Sequence, residues 1–265
     1  MNINGYSVVS TDLISAYGVN GGGFLWAADE IQKFELNNTE EKQTFTGKQG
    51  RKIATSKQNK ESKVTFSNGC IIQGMIATQT GSEIDTSATV IRYTDVITVG
   101  SSTTATKYKA KGTAGNEIGK LYKIENNVVV SAFEQAATAN ETGKFAYDPS
   151  TKELTFFNGD VSTGTTLIAK YDIEVPHAST TSNTSDTFSD TIELIIDMTV
   201  EEPACHKEYY AQVRVPYCDC TGNFSILGGE QSVHNFEGDC LSSACAGAKS
   251  SKYWDFIVYD LEDVV

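Results

Sequence analysis

The stretch FSDTIELIIDMTV, residues 188–200, places Ile192, Leu194, Ile196, Met198 and Val200 at every second position, with Glu193 and Asp197 between them. An extended strand, whose side chains alternate between two faces, turns that spacing into one apolar and one polar surface. Ile195 is the single interruption. The segment predicts a strand in a sheet with one buried side.

The same pattern recurs on both sides of it. YYAQVRVPY (209–217) and GNFSIL (222–227) continue it, and YWDFIVYDLEDVV (253–265) closes the chain with Trp254, Phe256 and Val258 in period two. Upstream, KVTF (63–66), ATVIRYTDVITV (88–99), KLYKI (120–124), NVVVSAF (127–133) and LIAKYDIEV (167–175) read as strands. Asn126-Asn127 predicts a hairpin turn, because Asn tolerates the left-handed conformation such turns need. In KFAYDPSTKELTFF (144–157), Asp148-Pro149 predicts a second tight turn. One segment has a helical period: in CIIQGMIATQTG (70–81), Ile72, Met75, Ile76 and Gln79 share a face and Gly81 supplies a stop. Short strands with one helix predict a mainly β protein, a β-sandwich or barrel with one short helix and an inserted β module. GSSTTAT (100–106) and PHASTTSNTSD (176–186) have linker composition, which predicts a β core from 1–99 and 177–265 around a module at 100–176.

Charge is distributed unevenly. The chain has a formal net charge of −13, yet KQTFTGKQGRKIATSKQNKESK (42–63) holds seven of its 21 basic residues against Glu61 alone. Lys48, Arg51, Lys52, Lys57, Lys60 and Lys63, with Lys42, form this strip. Three readings are open. It could bind nucleic acid, although Phe45 is the only aromatic available for base stacking. It could be a solvated loop. Or it could dock on an acidic face of another copy, with Glu193, Asp197, Glu201 and Glu202, or Asp260, Glu262 and Asp263, as partners. An acidic body repels phosphate over long range, which argues against global nucleic-acid binding.

Other function classes find little support. The N-terminal residues are too polar for a secretory signal, and apolar runs such as Leu194–Ile196 are too short to span a bilayer, so a soluble protein made in a cytosol is expected. In that setting the six cysteines are expected to be reduced. Cys218-x-Cys220 lacks zinc-knuckle spacing; Cys205, His206 and His234 could complete a ligand set only irregularly, so no metal or other cofactor is expected. Ser232, His234 and Asp239 lack a nucleophile elbow, and Gly21-Gly22-Gly23 is not followed by the Lys-Ser/Thr of a phosphate loop. No enzyme is expected.

The succession TGKQGRKIATSKQNK (46–60), NGCIIQGMIATQTGSE (68–83), a β insertion, TFSDTIELIIDMTVEEPACHKEYYAQVRVP (187–216), GNFSILGGEQSVHNFEGDCL (222–241) and YWDFIVYD (253–260) resembles the tail-tube (major tail) proteins of long-tailed bacteriophages. The resemblance implies a virion structural protein of the phage tail, assembled in the host bacterial cytoplasm. It implies hexameric rings of self-associating copies, stacked to enclose a channel through which DNA passes without specific binding. Other tail proteins are the further partners, and the inserted module lies outside the tube wall. The cysteine-rich end is not part of the resemblance. Two alternatives stay open: a capsid decoration or other phage virion surface protein that displays the β insertion outward, and a metal-dependent or carbohydrate-directed module that uses the cysteine-rich end.

Overall fold

The alternating segment at 188–200 forms a central strand of a nine-stranded sheet. The structure, a computed structural model, describes residues 5–228, 233–242 and 252–260. The chain divides into two units, one comprising Met1–Ile84 with Thr181–Val265 and the other Asp85–Thr180.

The first unit begins with β1 (Ser7–Gly18), β2 (Phe24–Ala28), β3 (Ile31–Thr46), β4 (Lys52–Asn68) and the helix α1 (Gln73–Thr80). The second unit contributes β5 (Thr89–Thr98), β6 (Lys120–Glu125), β7 (Val128–Gln135), β8 (Lys144–Asp148), β9 (Glu153–Phe156) and β10 (Thr166–Val175). The chain then returns to the first unit for β11 (Thr191–Glu202), β12 (Lys207–Cys220), β13 (Ile226–Leu227), β14 (Val233–Cys240) and β15 (Asp255–Tyr259).

In the first unit the order is β2-β1-β11-β12-β14-β4-β3, with β13 added to β14 and β15 to β12. Ile192, Leu194 and Ile196 are fully buried, and Met198 and Val200 nearly so. Each such aliphatic contributes about 1.5–3 kcal/mol by leaving water. Cross-strand partners continue their apolar row: Ile196 lies between Ile14 and Val213, and Leu194 between Ala16 and Val215. Towards β4 and β14 the core becomes aromatic. Phe66 stacks on Phe236 with centroids 4.7 Å apart, and Trp26 packs against both.

The helix α1 covers this aromatic patch. Met75 is fully buried in the core, and the Trp26 indole N–H donates to the Thr78 hydroxyl at 3.1 Å. Gln79 is buried as expected, whereas Ile76 is only half-buried; Ala77 and Thr78 occupy the inward side. Gly81 ends the helix in a left-handed conformation (φ 63°), its N–H bonded to the Ala77 carbonyl. A Cβ there would lie 1.7 Å from the Phe188 carbonyl oxygen, so no other residue fits.

The second unit has its own core, built on Phe145, Leu121, Leu167, Ala169 and Tyr171, under a six-stranded sheet of order β5-β10-β6-β7-β8-β9. Asn126 and Asn127 turn the β6–β7 hairpin with φ of 50° and 61°, the left-handed pair that a tight primed turn demands. After the Asp148-Pro149 turn, Lys152 closes back on the Asp148 carbonyl at 2.7 Å. GSSTTAT is not a linker. Thr104 and Thr106 are buried, and their backbone groups bond to Leu154 and Lys152. The unit begins earlier, at Asp85, because β5 pairs with β10 along its whole length. Its two ends meet: Asp85 and Thr180 exchange backbone hydrogen bonds of 2.9 and 2.8 Å.

Candidate assembly surface

The basic strip folds into a two-stranded ribbon. Pairing of β3 with β4 runs from Ile31 opposite Asn68 to Thr46 opposite Lys52. The apolar side ends at Leu36 and Val64; beyond them Asn37–Thr46 and Lys52–Glu61 are exposed on both faces. The projecting part spans ten residues per strand, which at 3.4 Å per residue is roughly 30 Å. A two-stranded ribbon without a core is marginal in water. Polar side chains on both faces also leave no hydrophobic period, so the sequence shows no strand signal there.

Lys48, Arg51 and Lys52 come together at the tip, where Lys48–Gly50 form a single 3-10 turn. Lys57 lies along the arm opposite Lys42 and reaches Glu40 at 2.8 Å. Its hydrogen bond holds the Glu40 carboxyl below its usual range and raises Lys57 in return. The Lys60 ammonium lies 5.9 Å from the Tyr253 ring centroid, while its carbonyl accepts from the Tyr253 hydroxyl at 3.1 Å. Lys63 sits at the base, ion-paired with Glu237 of the same chain. The strip is therefore graded. Its base is tied to its own chain, and its tip carries three exposed cations.

The opposite charge lies on the outer face of the first unit's sheet. Alternation sends Glu193, Asp197 and Glu201 of β11, Glu208 and Asp219 of β12, Glu237 and Asp239 of β14, and Asp255 of β15 to the side away from the core. Basic residues on that face are already engaged: Arg214 with Glu193 at 2.6 Å, Lys33 with Glu35 at 3.1 Å, and Lys63 with Glu237. Gln212 donates to Asp197 at 2.8 Å, and Glu201 pairs with His206. Exposed pairs of this kind contribute little to stability, about 0–1 kcal/mol each. Their effect is on the field, which stays negative.

Three of the expected partners drop out. Glu193 is buried, 9% exposed, and ion-paired with Arg214 of its own chain. Glu202 is buried, because the alternation that exposes Glu201 turns the next residue inward, where Cys205 and Tyr209 contact it. Asp260 is ion-paired with Lys207 in its own chain. Glu262 and Asp263 lie outside the described residues.

The Cys/His candidates do not gather into a site. Cys218, Cys220 and Cys240 are buried, and Cys70 and Cys205 are exposed. Burial pushes the Cys218, Cys220 and Cys240 thiols up, which makes them inert at neutral pH. His234 points into the core and Asp239 out of it, so they cannot act as a catalytic pair. Ser232 and Cys245 lie outside the described residues. His234 instead fastens α1 to β14: its Nδ1 accepts from the Ile72 N–H at 3.4 Å, and its Nε2–H donates to the Gln79 side-chain oxygen at 3.0 Å. Nothing in the local sequence around His234 signalled that role. Among the described residues no group of His, Cys, Asp and Glu could hold a metal ion.

A family model described as the YomU/Tube protein family matches residues 22–254, nearly the whole chain and both units. The chain belongs to the YomU/Tube protein family. The comparison with curated proteins returns no match. Membership makes this a structural protein of phage tail tubes rather than an enzyme, and implies association with copies of itself and with other tail proteins. No helix among the described residues is long and apolar enough to cross a membrane.

Proposed function

We propose that the protein assembles in the bacterial cytoplasm into hexameric rings that stack into a phage tail tube, and that the tube's lumen carries DNA during delivery. The basic ribbon is the cement between copies, with Lys48, Arg51 and Lys52 leading and Lys57, Lys60 and Lys63 completing the strip.

The observation that carries this reading is the separation of charge within one unit. Rings and stacks need head-to-tail contacts, so each protomer must present two unlike, complementary surfaces. The ribbon tip and the sheet's outer face have that relation. Charge complementarity sets register and encounter rate, and its influence falls off beyond about 8 Å in physiological salt, so assembly is salt-sensitive. The acidic face also suits a channel lining. DNA binds proteins by exchanging counterions for Lys and Arg, and a wall whose cations are already paired offers it no such exchange. DNA then slides rather than sticks.

The test is charge reversal at the tip. Arg51→Glu with Lys52→Glu places carboxylates where a partner's carboxylates are expected. Surface substitutions shift monomer stability by about 0.5 kcal/mol or less, whereas like charges facing each other at an interface cost several kcal/mol. The double variant is expected to melt as wild type does and to sediment without assembling. Assembly equal to wild type at low salt contradicts the role of the strip.

A further inference from the structure

We infer that the second unit carries a binding site for an acidic sugar, taken as one residue of a polysaccharide, in the cavity beside KYKAK (107–111). The inference goes beyond the assembly reading and does not rest on it.

The cavity has a volume of about 500 Å³, within the range of roughly 300–1,000 Å³ usual for small-molecule sites. Its lining comes from separate stretches of chain: Tyr108 to Glu117, Pro149, and Ile173 with Glu174. Ala110 and Ile173 are buried members of this unit's core, which fixes the inner side. Hydrogen bonds fix the segment above it. The Tyr108 N–H donates to the Tyr171 hydroxyl at 3.2 Å, the Ala110 N–H to the Tyr147 hydroxyl at 2.9 Å, and the Lys111 N–H to the Asp172 carbonyl at 2.7 Å. The chain then turns back on itself, with the Asn116 N–H bonded to the Thr113 carbonyl at 2.8 Å. That return brings Glu117 against Gly112, where a Cβ would lie 2.9 Å from the Glu117 Cα. The cavity is a built feature of the unit.

The lining selects a ligand class. Tyr108, 42% exposed, and Pro149 supply apolar surface on which the C–H groups of a sugar ring can leave water. Two carboxylates are held in place beside them. Glu117 accepts from the Gln135 side-chain amide at 2.6 Å, and Glu174 is paired with Lys111 at 3.0 Å. An ionised carboxylate has room for further donors, so each can accept from sugar hydroxyls. Lys109 also lines the cavity, is exposed, and has no acidic partner among the described residues. One free cation beside two carboxylates and an apolar ring matches a molecule with one negative group and several hydroxyls. A neutral sugar leaves Lys109 unused. Bare phosphate leaves the apolar surface unused, and the carboxylates repel a peptide that carries many acids.

Lys109, Lys111, Gly112, Ala114 and Glu174 are all exposed, so the cavity stays open to solvent along this edge. An open site suits one unit of a polymer whose neighbouring units continue into water. Contact of this kind is weak for a single site, with a Kd of about 1 mM or above. Copies held together multiply it by about 10²–10⁴ through avidity.

The experiment is saturation-transfer NMR on the full-length protein. The probes are glucuronic acid, glucose 6-phosphate, glucose, inorganic phosphate, a tetra-aspartate peptide and a hyaluronan hexasaccharide, which contains glucuronic acid. Both acidic monosaccharides are expected to bind at least tenfold more tightly than glucose or phosphate, and the hexasaccharide at least as tightly as glucuronic acid. Lys109→Gln should bring the acidic sugars down to the level of glucose. Ala114→Trp, which fills the cavity from an exposed position, should weaken all the sugars at least tenfold. Both positions are exposed, so circular dichroism should match wild type. No transfer to either acidic monosaccharide, or transfer unchanged in both variants, overturns the inference. Phosphate or the peptide binding as tightly as the acidic sugars overturns the ligand class, and a hexasaccharide that binds more weakly than its monomer overturns the assignment to a polysaccharide.

Discussion

At the scale of single residues, His234 shows how burial sets function aside in favour of structure. Burial lowers its pKa from an ordinary 6.5 to about 4, so the folded protein holds it neutral between α1 and β14. The unfolded chain binds a proton first as pH falls. The stability tied to neutral His234 is therefore complete above about pH 6.5 and is lost as pH falls towards 4, about 3 kcal/mol in all. Urea titrations of wild type at pH 7 and pH 4.5 should show that loss, and His234→Gln should show a smaller pH-dependent fall. An equal fall in both proteins contradicts the assignment. Gly238 makes a second point. A Cβ there would lie 2.4 Å from the Cys218 sulfur and 3.2 Å from the Asp219 carbonyl, in a site with no free space. Gly238→Ala should cost about 1–3 kcal/mol by overpacking, and Cys218→Ala in the same chain should recover part of it. Thermal melts of both proteins decide this. Thiol accessibility follows the same burial. Site-resolved alkylation of the native protein should label Cys70 and Cys205 and spare Cys218, Cys220 and Cys240 until denaturant is added.

At the scale of elements, legibility followed burial. Where one face meets a core the period is plain, so β11 could be read from Ile192 to Val200, and the turn at Asn126-Asn127 from its left-handed preference. The helix was found because Met75 and Gln79 sit four apart and Gly81 must be glycine; Ile76 was misplaced because α1 buries most of its last turn rather than one stripe. The outer arms of β3 and β4 were legible only as charge. Both of their faces meet water, so nothing in the sequence selects one. Glu202, expected among the acids of a docking face, is buried, since composition does not say which way a side chain points at the end of a strand. The short parallel pairing of β7 with β8 was beyond sequence reasoning, because it depends on a return path through Glu141–Gly143 rather than on either strand.

At the scale of the whole molecule, the second unit interrupts the first without being needed to complete its sheet: β1–β4, α1 and β11–β15 supply the first core. The inserted unit starts and ends at residues bonded to each other, Asp85 and Thr180, so a short Gly/Ser bridge can replace it. Deleting 85–180 is expected to leave a soluble core that still assembles, and the isolated segment is expected to fold by itself, with a cooperative melt. Loss of solubility together with an unfolded isolated segment would place the boundary wrongly. The family assignment spans both units, while the charge separation lies in the first. The most direct measurement of the central claim is negative-stain imaging of the purified full-length protein at high concentration, in low and in high salt. Hollow tubes of uniform width in low salt that shorten or dissolve as salt rises are the predicted result, and a strict monomer under both conditions would contradict it.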